Sequence, residues 1–158
     1  MISVINSAVC YGIEGNIIRV ETDISNGLPS VNIVGLASTT VMESRERIKS
    51  AIINSGFEYP RRRVTVNLSP AGIRKNGSCL DLAIAVGLLV SSYYIDARNV
   101  QNYGIIGELS LNGGVTSVIG LLPMLICMRD AGITKIIIPY DNAAEALIVD
   151  GEIGRAHV

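Results

Sequence analysis

The chain of 158 residues has a single histidine, His157, close to its end. An H-E-x-x-H zinc motif or a multi-histidine metal site needs at least two, and no Cys/His cluster stands in for them, so no metal centre is expected. Cysteine is nearly as scarce. Cys10, Cys79 and Cys127 are odd in number and far apart, with neither metal-ligand spacing nor a disulfide framework, which favours a reducing cytoplasm. Long apolar runs are lacking too. The longest, Leu82 to Val90 counting Gly87, falls far short of the roughly 20 residues of a membrane span. The opening MISVINSAVCYG has no charged segment followed by an apolar one, so no secretory leader and no membrane partner are expected. There is no G-x-x-x-x-G-K-[ST] run to wrap phosphates in backbone amides, and no G-x-G-x-x-G after a strand. An ATP or dinucleotide site within this chain is therefore not expected. Neither charge dominates: 13 basic and 14 acidic residues leave a net charge of -1. That excludes a uniformly basic nucleic-acid binder and leaves local patches open.

What is present is a well-populated core. Hydrophobic residues make up 49% of the chain and charged residues 17%, the balance of one folded domain without repeats or low-complexity segments. ISVINSAVCYG and GNIIRVETDIS read as strands joined at Gly12–Gly15. In the second, Ile18, Val20, Thr22 and Ile24 share one face opposite Ile17, Arg19, Glu21 and Asp23, which suits a sheet with one wet side. SVNIVG follows as a strand. Ser38 to Ser55 reads as a helix capped by Ser38 or Thr39 and ended by Gly56. RRRVTVNLSP gives a strand, and Asp81 to Val90 a strongly apolar helix. YGIIGELSLNGGVTS reads as a hairpin turning at Asn112-Gly113-Gly114. Ser117 to Ala131 reads as a helix ended by Gly132, its start set later by Pro123. TKIIIPY gives a buried strand, and DNAAEALIV a short helix capped by Asp141 or Asn142. Strand runs mixed with helices predict an α+β (mixed α/β) domain with a mixed sheet.

One stretch could carry chemistry. RKNGSCLDLAIAVGLL, Arg74 to Leu89, places a small nucleophile, Cys79, at the start of an apolar helix. Free amides and the helix dipole there favour a thiolate, and Arg74 and Lys75 would push the same way. A catalyst also needs a base or proton shuttle. The competing reading is a small buried residue packing a helix start.

DISNGLPSVNIVGL, ESRERIKSAIINSGFEYPRRRVTVNLSPA and GELSLNGGV together resemble the N-terminal domain of the YifB/ComM family, magnesium-chelatase-like proteins of the AAA+ ATPase class. The resemblance runs from about Ile2 to Asp150. It implies a fold similar to the Lon protease catalytic domain and the ribosomal protein S5 domain 2-like fold. Lon-type proteases carry a K-D-G-P-S-A-G loop. Against it, KNGSCLD puts Lys75, Asn76 and Gly77 on the first three positions, Ser78 on the proline and Cys79 on the nucleophilic serine, with Asp81 on the last glycine. The Lon partner lysine ends a segment that GELSLNGGVTSVIGLL follows from Gly107, and its position holds Leu122. Leucine accepts no proton, so the resemblance implies a fold kept without its catalytic dyad. The alternative is a Lon-like serine/cysteine hydrolase using Cys79.

The resemblance further implies a domain at residues 1–151, a non-native tail at 152–158, and an AAA+ module elsewhere. EIGRAHV departs from the family pattern and reads like a translated sequencing adapter, which would strip His157 of functional weight. The AAA+ module would bind ATP and Mg, form a homo-oligomeric ring and, as for ComM, act in DNA branch migration during natural transformation. A non-catalytic accessory domain would support ring assembly or DNA engagement. Its contacts would be Arg61, Arg62 and Arg63 before a strand, with Arg74 and Lys75 in the following loop. The plainer reading is a solvated basic turn, or salt bridges to Glu58 and its neighbours. Phe57 and Tyr59 are the only rings nearby in sequence, so base stacking is weakly supported. ESRERIKS on the first helix reads either as a protomer contact in a ring or as a wet face.

Overall fold

The computed structural model describes Met1–Val149. The tail at 152–158, His157 and the boundary at 151 lie outside the described residues. The chain opens with a long antiparallel hairpin, β1 (Ile2–Tyr11) and β2 (Glu14–Ser25), in register from Ile2 opposite Asp23 to Tyr11 opposite Glu14. Alternation in β2 places its side chains as the period of two requires. Ile18, Val20, Thr22 and Ile24 are buried, while Arg19 is exposed and Glu21 and Asp23 are half-buried.

β4 (Arg63–Ser69) lies antiparallel beside β2, and β3 (Ser30–Val34) lies parallel beside β4. On the far side of β1 stand β5 (Tyr103–Ile105) and β8 (Lys135–Ile137), both joined by parallel pairing. The result is a mixed six-stranded sheet of order β3-β4-β2-β1-β5-β8, the α+β architecture expected. The hairpin expected from Tyr103 to Ser117 is divided. β5 enters the large sheet, and β6 (Glu108–Leu109) and β7 (Val115–Thr116) form a separate two-stranded ladder. Gly104, Ile105 and Ile106 are all buried, a continuous apolar run that suits a covered parallel strand better than a half-wet hairpin.

The helices cover both faces. α2 (Asp81–Ser91) sits on the face of Ile5 and Val20. The Ser3 hydroxyl donates to the Gly87 carbonyl at 2.9 Å, and the Ser91 hydroxyl to the Thr22 carbonyl at 3.2 Å. α1 (Thr39–Asn54) packs beside α2, with Val41, Ile48, Ala51 and Ile52 buried. α3 (Leu121–Asp130) lies on the opposite face, since Gly15 abuts Pro123 and Gly104 abuts Met128, and both glycines have the opposite strand parity. α3 begins at Leu121, later than Ser117. Pro123 then falls in the first turn, where its missing N–H leaves no helical bond unmade. At α4 (Ala143–Ala146), the expected Asn142 cap is replaced by a tertiary contact. The Asn142 side chain accepts from the Val118 amide at 2.9 Å and donates to the Val118 carbonyl at 3.1 Å.

α1, α2 and α3 end in the same way. Two backbone bonds reach back into the last turn, and the residue after the C-cap is left-handed. In α1 and α3 that residue is Gly56 (φ 90°) or Gly132 (φ 83°), as expected. In α2 it is Tyr93, with φ 65°, a position that costs a side chain about 1–2 kcal/mol.

The close seat of α3 on the sheet is testable at Gly15, where an added Cβ would overlap the Pro123 carbonyl. Gly15→Ala should lower stability by about 1–3 kcal/mol in urea unfolding. Gly72→Ala, which meets no atom within 4 Å, should change it little.

Candidate functional site

The loop from Pro70 into α2 holds the position that the sequence marked for a nucleophile. Cys79 is 7% exposed, and its thiol donates to the Ala8 carbonyl of β1 with Sγ and O 3.6 Å apart. Burial pushes the thiol up to about 12, with Asp81 adding to the rise, so it is protonated at neutral pH. The expected lowering by Arg74 and Lys75 does not occur. Arg74 is exposed, and Lys75 points inward. The neighbouring Ser78 hydroxyl donates to the Glu108 carboxylate. Leu122, on the first turn of α3, is half-buried against the core.

Asp81, the first residue of α2, has a partner that its sequence neighbourhood does not reveal. Arg47 of α1 donates to both carboxylate oxygens, from Nε at 2.8 Å and from its terminal nitrogen at 3.2 Å. The Leu109 amide of β6 donates to the same carboxylate at 3.2 Å. The Asp81 side chain has no exposed surface, and that of Arg47 is 23% exposed. Burial raises the Asp81 carboxyl above its ordinary range. Arg47, the Leu109 amide and Ser44 pull against that rise, and the carboxylate in turn raises the Arg47 guanidinium. ESRERIKS is therefore not simply a wet face, because Ser44 and Arg47 turn inward.

The five basic residues grouped by sequence do not form one surface. Lys75 is 0% exposed, its ammonium donates to the Pro70 carbonyl, and burial lowers its pKa. Its backbone is pinned as well, Lys75 N–H to Leu36 carbonyl and Ser38 N–H to Lys75 carbonyl, both at 3.0 Å. A side chain so placed does not reach a phosphate, which corrects its assignment to a nucleic-acid contact. Arg61, Arg62 and Arg63 precede and open β4 while Arg74 follows it, so about 20 Å of strand separates them.

Arg61 and Arg62 instead join residues distant in sequence. They line an open groove of about 1330 Å³ together with Arg45 and Lys49 of α1, against two acids, Glu46 and Glu58. Among the described residues neither Arg61 nor Arg62 is in an ion pair; Arg62 donates to the Asn26 side-chain oxygen at 2.8 Å. The groove is also richer in rings than the sequence suggested, because the end of α2 brings Tyr93 and Tyr94 beside Phe57 and Tyr59. Phe57 and Tyr94 meet edge to face with centroids 5.0 Å apart. Lys49 Nζ lies 5.9 Å from the centre of the Tyr59 ring. Tyr93 is 78% exposed.

A mixed sheet with Cys79 at the head of α2 and the Gly107–Leu122 segment alongside is a Lon-like arrangement. The chain is 25% identical over 158 residues to Lon protease 2 of Bacillus subtilis, covering 89% of this chain and 28% of that protein. Residues 20–142 match the family described as subunit ChlI of Mg-chelatase. The chain is 40% identical over 151 residues to the uncharacterized protein YifB of Escherichia coli (strain K12) and 34% identical to competence protein ComM of Haemophilus influenzae. Each match covers 96% of this chain and 30% of the relative. The chain belongs to the magnesium-chelatase ChlI-like family that includes YifB and ComM, and spans 30% of the length of these relatives. Among the described residues no helix is long and apolar enough to cross a membrane.

Two measurements probe this site. Cys79 should resist iodoacetamide at pH 8 in the folded chain and react once unfolded in guanidinium; prompt labelling of native Cys79, read by mass spectrometry, would contradict its burial. Arg47→Ala should cost about 3–5 kcal/mol at neutral pH, because it leaves the Asp81 carboxylate buried without its ion-pair partner. The carboxyl of that variant rises further. A folded-state pKa above the unfolded value adds stability at low pH that is lost as pH rises. The deficit should therefore shrink as pH falls toward the unfolded carboxylate's pKa of about 3.9, in urea titrations at pH 7 and pH 4.5.

Proposed function

We propose that this chain is a non-catalytic accessory domain of a ring-forming AAA+ ATPase in the cytoplasm, and that it contributes to DNA engagement by that assembly. The ATP and Mg that drive such a ring belong to the ATPase module, and this domain's own partners are that module and DNA. The observation that carries the reading is the groove. Arg61 and Arg62 stand unpaired by acids beside Arg45 and Lys49, an arrangement suited to phosphates. Family membership supports it, since one relative is named a competence protein. Cys79 supports the non-catalytic part, because a buried, protonated thiol without an adjacent base is a poor nucleophile.

Fluorescence anisotropy with a labelled oligonucleotide tests the reading. Binding should fall steeply with salt, and Arg61→Ala and Arg62→Ala should each reduce the slope of log K against log salt by about 0.7–0.9. Binding that is unchanged by both substitutions would show that the groove's arginines do not meet phosphates.

A further inference from the structure

The groove holds one feature that phosphate contact does not require. Among the described residues three helices end in the same pair of backbone bonds. In α2 the Tyr93 N–H donates to the Val90 carbonyl at 3.0 Å and the Tyr94 N–H to the Leu89 carbonyl at 2.9 Å. The matching position of α1 is Gly56 and that of α3 is Gly132. Among the described residues this turn carries glycine at the ends of α1 and α3, whereas at the groove it holds a tyrosine at φ 65° with 78% of the residue exposed. No core packing accounts for a ring so exposed. The left-handed backbone sets where the ring stands, at a wall that also carries Tyr94. Tyr94 is itself held by Phe57, and its hydroxyl accepts from the Glu58 amide at 3.3 Å.

We propose that Tyr93 is a stacking residue and that the groove takes a single-stranded nucleic acid, its unpaired bases against Tyr93 and its phosphates toward Arg61, Arg62 and Lys49. This rests on the reading that the domain engages DNA, and it specifies which form of DNA. A paired base hides its face in the stack, whereas an unpaired one offers that face to any flat ring, without regard to sequence. Arginines beside tyrosines serve both halves of a nucleotide, forking onto phosphate oxygens and lying flat on bases. An acidic peptide would use the arginines and leave the exposed ring without a role.

The test compares four labelled probes on the 158-residue chain: oligo(dT), the matching duplex, an abasic strand of equal phosphate number, and poly-glutamate. Oligo(dT) should bind tightest. Tyr93→Gly should raise the midpoint of thermal unfolding by relieving the left-handed side chain, and yet weaken oligo(dT) binding by about 5- to 100-fold. It should leave binding of the abasic strand unchanged. Tyr93→Phe should keep both the binding and the wild-type stability. If oligo(dT), duplex and abasic strand bind alike and Tyr93→Gly alters none of them, stacking is wrong while phosphate engagement stands. If poly-glutamate binds as tightly as oligo(dT), the occupant is an acidic protein segment and the proposal falls. Absence of binding to every nucleic-acid probe overturns both this inference and the reading beneath it.

Discussion

The clasp between Arg47 and Asp81 is the constraint on which the rest of the structure hangs. It joins α1, the head of α2 and, through the Leu109 amide, the small β6–β7 hairpin. Burying two charges recovers little net energy, since desolvation offsets most of the attraction. What the pair supplies is register. A carboxylate with no exposed surface accepts its partner only where the fork fits both oxygens, so α1 has one rotation and one height relative to α2.

That fixed rotation shapes the groove. With Arg47 turned inward, Arg45, Glu46 and Lys49 on the same helix are turned toward the end of α2 and the segment before β4. The residues that line the groove come from segments as far apart as Ile24 and Tyr94, and the clasp ties together two of the helices that carry or lead into them, α1 and α2. The same carboxylate occupies the loop position that Lon-like proteins give to glycine. In this chain that loop is part of the packing, with Cys79 closed against β1.

Much of the fold was legible because its signals are local. The alternation of β2, the Ser38 cap and the glycines after α1 and α3 depend on residues within a turn or two of one another. The division of the expected hairpin was not legible, because an apolar triplet such as Gly104–Ile106 reads the same in a half-wet strand and a covered one. The site was harder still. Arg61, Arg62, Phe57 and Tyr59 stand together in the sequence, but Tyr93 and Tyr94 arrive only through tertiary packing. Lys75 sits in a polar, glycine-containing stretch whose composition suggests solvent, yet a long aliphatic stem lets it turn inward to one carbonyl. Nothing in a linear pattern distinguishes that lysine from a wet one. Tyr93 is hidden for a related reason: a left-handed helix end is read from its glycine, and here there is none.

The inward turn of Lys75 has a consequence for how the surface can be modified. The chain has only three lysines, and with Lys75 enclosed the exposed ones are Lys49 and Lys135. Nearly all of its outward positive charge is therefore carried by guanidinium groups. Acetylating or succinylating enzymes, which need an amine, find almost nothing to neutralise here. A cell that adjusted this surface by acylation would act at Lys49, on the wall of the groove, or at Lys135, on the outermost strand of the sheet.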